Sequence, residues 1–171
     1  MESAHEHNTW KDWIEAHGPR LLLCARQWTR SLADAEDVLQ DAFVRYWRHQ
    51  RQLPGDPRAL LVTSIRRAAI DLARRDDRRL AREERAEEPA GAGQTLFQHL
   101  PGEGDERRQE IEAALQRLPA EQREVLVLKI WQELTFEQVG IALDIPANTA
   151  ASRYRYALNA LRKQLEPLCH G

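Results

Sequence analysis

The spacing of apolar residues predicts an amphipathic helix between residues 34 and 49. Leu39, Phe43, Tyr46 and Trp47 fall at i, i+4, i+7 and i+8, which places them on one face of a helix. We expect this stripe to face a core and the polar residues of the helix to remain outside.

A second helix is predicted from residue 58 to about residue 82. Before it, residues 49–57 end in Pro54-Gly55-Asp56-Pro57, a turn-forming run that separates the two helices. The stripe predicted to be buried consists of Leu61, Ile65, Ala68, Ala69 and Leu72.

The C-terminal part of the chain has the pattern of a helix-turn-helix. Thr135 is a predicted N-cap with Gln138 as its capping-box partner, and a short apolar stripe follows. Asp144 to Pro146 then form a turn, with Pro146 opening the last helix. A plain packed hairpin of helices would show much of the same pattern.

Between these helical parts, residues 83–108 lose the apolar period. Within residues 83–112, three basic residues stand against nine acidic ones, and two Pro/Gly-containing runs interrupt the segment. This composition is typical of a flexible acidic linker. The sequence therefore predicts an all-α fold of two small helical domains, 10–82 and 109–166, joined by that linker.

Composition narrows the function classes. The 171 residues contain 30% charged and 42% hydrophobic residues, typical of a globular chain, and their net charge is −2. We find no apolar run of about 18 residues and no signal-peptide pattern, which predicts a cytoplasmic protein without a membrane segment. Cys24 and Cys169 lack metal-ligand spacing, and a reducing compartment disfavours a disulfide between them.

No grouping of residues predicts catalysis. The sequence has no glycine-rich phosphate loop, no metal-ligand spacing and no grouping of a nucleophile with a base. We therefore expect a protein that is not an enzyme and that uses no metal or cofactor.

Two charged faces in the first domain suggest partners. Asp34, Asp37 and Asp41 lie at i, i+3 and i+7, either as a solvated face or as a docking site for a basic partner. Seven arginines and no lysine occur between Arg58 and Arg79, and guanidinium groups suit bidentate phosphate contact. The alternative is a solvated helix with local pairs to Asp71.

Five segments of the chain resemble one family of transcription factors. Residues 34–47 resemble region 2.2 of the extracytoplasmic-function (ECF) sigma factors of bacteria, and residues 70–75 resemble the end of their region 2.4. Residues 118–128, 134–140 and 145–153 resemble their region 4. The motifs occur in the family's order.

The resemblance implies that the region 2.2 helix binds core RNA polymerase. In the family this helix docks on the clamp helices of the polymerase, and region 4 meets its flap. The positions implied for clamp binding are Asp37, Gln40, Asp41, Phe43 and Trp47. The family also implies an anti-sigma factor as a partner, and we expect a monomer when the protein is free.

The resemblance also implies promoter DNA as a partner, read at its −10 and −35 elements. Phosphate contacts would supply affinity and groups at the start of the recognition helix would choose bases. The positions implied for the −10 element are Arg58, Arg66, Arg67, Asp71, Arg74 and Arg75. Those implied for the −35 element are Asn148, Thr149, Ala151, Ser152, Arg153 and Arg155.

Some positions depart from the family pattern. Leu60 and Val62 stand where the family usually has Trp and Tyr, and Ala151 stands where it commonly has Lys. Two other functions therefore stay open: a stand-alone helix-turn-helix regulator, and a polymerase-binding decoy with weak DNA recognition. Binding to core polymerase separates the first from a sigma factor, and promoter-dependent transcription separates the second.

Overall fold

The computed structural model describes residues 2–83 and 105–169, and within them the chain is helical without any strand. The all-α prediction is confirmed. The first half contains α1 (Glu2–Trp28), α2 (Leu32–Arg45), a π-helical segment (Tyr46–Gln50) and α3 (Pro57–Glu83). The second half contains α4 (Asp105–Arg117), α5 (Ala120–Trp131), α6 (Phe136–Leu143) and α7 (Ala147–Cys169).

The predicted helix over residues 34–49 is present, but its last residues, Tyr46–Gln50, are π-helical and not α-helical. Ser31 caps α2 by accepting a hydrogen bond from the Asp34 backbone N–H at 3.0 Å. After Arg45 the chain widens into the π-helical segment, whose last bond runs from the Arg51 N–H to the Tyr46 carbonyl at 2.9 Å. Apolar spacing alone does not distinguish this wider turn from an α-helix.

The start of α3 is fixed by the residues around Pro57. Gly55 has a φ of 127°, which L side chains rarely adopt, so the turn before α3 favours glycine here. The Asp56 carboxylate accepts a hydrogen bond from the Arg58 backbone N–H at 2.9 Å, and Pro57 supplies a preset φ without a free N–H. The predicted stripe faces the core, with Leu61, Ile65 and Ala69 fully buried.

The helix-turn-helix prediction agrees with the structure of α6 and α7. Thr135 and Gln138 form the predicted capping box, with bonds of 3.2 and 2.9 Å. Asp144 ends α6 in the left-handed conformation, with a φ of 57°. The following turn leads directly into α7.

The two halves share one hydrophobic core. α6 packs against α3, and α5 packs against α1. Buried leucines from both halves, such as Leu21 and Leu134, belong to the same cluster. Sequence patterns did not predict this packing.

The linker predicted over residues 83–108 lies mostly outside the described residues. Its last part differs from the prediction, because α4 begins at Asp105 rather than near residue 109. The domain limits 10–82 and 109–166 stay predictions. No described helix combines the length and apolarity needed to cross a membrane.

Candidate functional site

The acidic face of α2 is open to solvent. Asp37, Gln40 and Asp41 are all exposed, and their i, i+3 and i+4 spacing puts them side by side. Val44 lies one turn further along the same face and is 44% exposed. Val44 was not among the predicted site residues, although it follows Asp37 by seven residues, which is a spacing of two helical turns.

The other two residues predicted for polymerase binding lie elsewhere on the domain. Phe43 is half-buried and lines an apolar groove of about 290 Å³ between α1 and α2, which Gln40 also reaches. Trp47 is half-buried and stacks on Trp10, with ring centroids 5.8 Å apart. The structure thus places Phe43 beside the acidic face and turns Trp47 toward α1.

Trp47 belongs to an aromatic cluster that sequence analysis missed. Trp10 stacks on Trp13 at 4.9 Å and on Tyr46 at 5.1 Å, and the Arg51 guanidinium lies 4.6 Å above the Trp47 ring. These rings line an open cavity of about 500 Å³ next to the loop that precedes α3. In the sequence, the three-residue spacing of Trp10 and Trp13 could have indicated that the two rings lie on the same face of a helix.

The arginine face of α3 is exposed along two turns. Arg67, Asp71, Arg74 and Arg75 are exposed, whereas Arg66 is half-buried. Arg75 donates to the backbone carbonyl of Asp71 at 3.4 Å. Within residues 2–83 and 105–169, no ion pair joins Asp71 to either neighbouring arginine, so these guanidinium groups are not neutralised by their own helix.

The arginine face continues beyond the residues predicted for DNA binding. Arg75, Arg78, Arg79 and Arg82, together with Glu83, line a cavity of about 330 Å³ near the end of α3. On another side of the helix, Asp77 accepts a hydrogen bond from Arg30 at 2.8 Å. Because the Asp77 carboxylate is paired with Arg30, it does not neutralise the arginines of α3. Positive charge therefore outweighs negative charge at this end of the helix.

Arg58 lies apart from that face, at the first turn of α3. Its guanidinium pairs with Asp56 at 3.0 Å and with Glu133 of the second half at 3.2 Å. The hydrogen bonds that the Arg58 guanidinium donates to the Asp56 carboxylate are the main cause that raises the pKa of Arg58 above its usual value. Arg58 is therefore already bound on both sides.

The predicted recognition helix α7 presents mostly neutral polar groups. Asn148 and Arg155 are exposed, while Thr149, Ala151 and Ser152 are half-exposed. The Arg155 guanidinium lies 3.5 Å from the Ser152 hydroxyl, so these two predicted contacts adjoin each other.

Arg153 differs from its helix neighbours because it pairs with another helix. Its guanidinium lies 3.2 Å from the Glu121 carboxylate of α5, and its side chain is 27% exposed. Tyr154 packs edge-on to Phe136 at 5.6 Å and therefore belongs to the packing, while Tyr156 is 59% exposed.

Gly140 sets how closely α6 and α7 approach. A Cβ at this position would lie 2.6 Å from the backbone oxygen of Ile145, which is too short for any side chain. The Ile145 N–H bonds to the Gly140 carbonyl at 2.9 Å. Only glycine allows the turn to be this tight.

The remaining titratable groups do not assemble a reactive centre in the described parts of the chain. No group of three His, Cys, Asp or Glu side chains there is placed to hold a metal ion. Cys24 is buried and not in a disulfide, and burial raises the pKa of its thiol to about 12. A thiol in this state is a poor nucleophile.

Comparisons with known proteins point to one family. Residues 13–79 match the family model of Sigma-70 region 2, and residues 114–163 match that of Sigma-70, region 4. The chain is 32% identical over 160 residues to the ECF RNA polymerase sigma factor SigL of Mycobacterium tuberculosis, covering 90% of this chain and 87% of that one. It is 25% identical over 178 residues to SigW of Bacillus subtilis, covering 95% and 92%.

Solved structures share the fold. The sigma factor RpoE of Bartonella quintana, crystallised with the anti-sigma factor NepR, has a TM-score of 0.69 at 23% identity, covering 92% of this chain and 97% of that chain. CnrH, solved with the cytosolic domain of CnrY, has a TM-score of 0.57 at 23% identity, covering 94% and 90%.

Proposed function

Since the chain belongs to the extracytoplasmic-function family of RNA polymerase sigma factors, which direct promoter-specific transcription initiation, we propose which of its surfaces meet polymerase and DNA. Sigma factors are not enzymes, and bond making in transcription belongs to the polymerase. The observation that carries the proposal is the pairing, within one half of the chain, of an exposed acidic face on α2 with an exposed arginine face on α3.

The acidic face binds the clamp helices of core polymerase. Asp37 and Asp41 supply charge for a basic partner, and Val44 and the groove at Phe43 supply apolar area beside it. An interface with an apolar centre and charged rim is the usual arrangement for a specific protein contact. Trp47 acts indirectly, by holding the end of this helical stretch against α1.

The arginine face binds the −10 element. Arg67, Arg74 and Arg75 contact phosphates, because they are exposed and carry no carboxylate partner among the described residues. The half-buried Arg66 and the exposed Asp71 adjoin this face and complete the surface. Arg58 contributes once its guanidinium is released from Glu133.

The start of α7 reads the −35 element in a major groove. Asn148, Thr149 and Ser152 carry the hydrogen-bonding groups that distinguish base edges, and Ala151 offers a methyl contact. Arg155 and Arg153 lie where a helix in the groove meets phosphates. The polymerase flap docks on the second half of the chain.

We extend the proposal to a partner protein, an oligomeric state and a location in the cell. RpoE was solved with the anti-sigma factor NepR and CnrH with the cytosolic domain of CnrY, and we propose an anti-sigma factor as a partner of this protein too. The free protein is a monomer and acts in the bacterial cytoplasm, where polymerase and promoters are found.

Capture of core polymerase tests the proposal. Wild-type protein is expected to bind bacterial core polymerase, and Asp37→Arg/Asp41→Arg is expected to weaken binding at least about tenfold by reversing the charge. Glu106→Arg/Glu110→Arg is the matched control, because it makes the same change at exposed i and i+4 positions of α4. Circular dichroism checks that all variants remain helical.

Two outcomes would contradict the proposal. If the folded wild-type protein captures no polymerase, a stand-alone DNA-binding regulator explains the helix-turn-helix better. If it captures polymerase but supports no promoter-dependent transcript, it is a decoy. If both double variants lose polymerase binding equally, the acidic face of α2 is not the specific binding site.

A further inference from the structure

One aromatic ring of the second half differs from the others in its exposure. Tyr156 of α7 is 59% exposed, whereas every other aromatic side chain that the structure describes is buried or half-buried. Within the described residues, Tyr156 makes no hydrogen bond and no ring contact. Tyrosine is enriched where a partner covers such an amphipathic ring. Packing within the described chain therefore does not account for this side chain.

The inward side of α7 is already filled by its neighbours. Tyr154 packs edge-on to Phe136 at 5.6 Å, and Ala157 is fully buried. Tyr156 follows Tyr154 by two residues, which places it about 160° away around a helix with 100° per residue. Its side chain therefore points away from the core of the second half.

The outward side of α7 has a neutral middle and basic edges. Around the helix, Tyr156 lies about 20° from Thr149 and about 40° from Ser152, which we propose to read bases. Arg153 lies about 60° to one side of Tyr156, and Arg155 lies about 100° to the other side. The two arginines thus border this face, and Tyr156 lies within it.

This arrangement matches the cross-section of a major groove. A helix in the groove has a phosphate backbone on either side and base edges beneath its middle. Arginines at the borders of the face suit the phosphates, and neutral side chains between them suit the bases. Tyr156 lies one turn beyond Ser152, and its longer side chain compensates for this position farther along the helix.

Among the groups that base pairs present in the major groove, a tyrosine ring best matches the thymine 5-methyl group. The other groups that distinguish the bases there are hydrogen-bond donors and acceptors, which an apolar ring face cannot satisfy. Contact between the ring and the methyl group removes apolar area of both from water. The phenol O–H can at the same time donate to a neighbouring phosphate.

We propose that Tyr156 reads a thymine of the −35 element by packing its ring against the 5-methyl group of that base. The inference rests on the proposed reading of this element by α7, and it adds a residue and the base that this residue favours. Because the contact is between uncharged groups, the preference for thymine should persist at salt concentrations that weaken the phosphate contacts.

The test uses the full-length chain and the −35 duplex that it selects from a randomised pool. Each thymine of this duplex is replaced in turn by deoxyuridine, which lacks only the 5-methyl group. Tyr156→Ala removes the ring, and Tyr156→Phe keeps the ring without its hydroxyl. Leu158→Ala is the matched control, because Leu158 is an apolar residue of the same helix, is 39% exposed and lies about 160° around it from Tyr156.

Fluorescence anisotropy at two salt concentrations measures the affinities, and circular dichroism checks that the variants remain helical. For wild type and Leu158→Ala, deoxyuridine at one thymine should weaken binding about two- to fourfold at both salt concentrations, as expected for one methyl group. Tyr156→Ala should bind the thymine duplex about two- to fourfold more weakly than wild type and lose nothing further with deoxyuridine. Tyr156→Phe should keep the sensitivity to deoxyuridine.

The outcomes separate this contact from the proposed function. If wild type selects a preferred duplex but is insensitive to deoxyuridine, or if Tyr156→Ala is as sensitive as wild type, the thymine contact is overturned and the reading of the −35 element by α7 stands. A selected duplex without thymine, or loss of sensitivity in Tyr156→Phe, also overturns it. If wild type selects no preferred duplex, the proposed reading by α7 fails and this inference fails with it.

Discussion

The helices α3 and α7 both face outward, but they present different chemistry. α3 carries exposed arginines on both sides of Asp71 that form no ion pair with it, and further arginines follow toward the end of the helix. α7 begins with Asn148, Thr149 and Ser152, and its Arg153 is paired with Glu121. Because phosphate contacts give affinity and base-edge contacts give choice, we expect α3 to supply affinity and α7 to supply sequence preference.

The largest effect is expected from Gly140→Ala, which should displace α7 and so remove its contribution to sequence preference. The added Cβ would lie 2.6 Å from the Ile145 oxygen, so the turn between α6 and α7 must shift. We expect a loss of about 2–3 kcal/mol in the free energy of unfolding, measured in urea, and loss of dependence on the −35 element.

Gly18→Ala is the control for this variant. Apart from its chain neighbours, a Cβ at Gly18 would meet Ile14 at an ordinary 3.9 Å. Pro19 follows and disfavours a Cβ before it in a helix, which offsets the gain that alanine brings to a helix interior, so the unfolding midpoint should change much less than in Gly140→Ala. An unchanged midpoint for Gly140→Ala would mean that the turn is not as tight as its geometry indicates.

The next largest effect is expected from Arg74→Gln/Arg75→Gln on α3. Removing two phosphate contacts should weaken promoter binding about thirtyfold and reduce the slope of log affinity against log salt by about two. The loss should be similar for every −10 sequence. Filter binding over a salt series with several promoters measures both quantities.

Arg162→Gln/Lys163→Gln removes the same charge from exposed positions far along α7 and serves as the control. It should leave the salt slope within about half a unit of the wild-type value. A sequence-dependent loss in the α3 variant would show that these arginines read bases and would break the comparison.

On α7, Asn148→Ala should change preference rather than overall affinity. Loss of its amide should cost about 1 kcal/mol, or about fivefold, on the preferred −35 sequence and less on other sequences. Selection from a randomised −35 duplex measures the change. Asn159→Ala, exposed near the middle of the same helix, should select the same sequence as wild type.

Contacts between residues close together in the sequence could be predicted from it, and contacts between distant residues could not. The Thr135 capping box has both partners within four residues, so it could be read from the spacing of residue types and is confirmed. The pair Arg58–Glu133 joins residues 75 positions apart, and nothing in local spacing indicates it. Such contacts depend on how the two halves dock.

The same limit applies within the candidate site. The exposed faces of α2 and α3 followed from helical periodicity, because a buried stripe fixes what remains outside. Trp47 was predicted to contact polymerase from its position in a motif. That contact stays a prediction, and the stacking of Trp47 on Trp10 could not be read from the motif, because the helix of Trp10 carries no part of it.

The smallest effect is expected from Glu121→Gln, which sharpens the contrast between α3 and α7. The variant releases Arg153 from its ion pair, whose carboxylate is 70% exposed and therefore well screened by water. Arg153 then becomes available to a phosphate, as the arginines of α3 already are. We expect −35 binding to tighten by about twofold and sequence preference to stay unchanged.

Glu137→Gln, which removes a carboxylate of α6 that has no ion pair in the described residues, should leave affinity at the wild-type level. Weaker binding by Glu121→Gln would instead mean that the ion pair orients Arg153 for DNA, so that α7 uses a fixed arginine where α3 uses free ones.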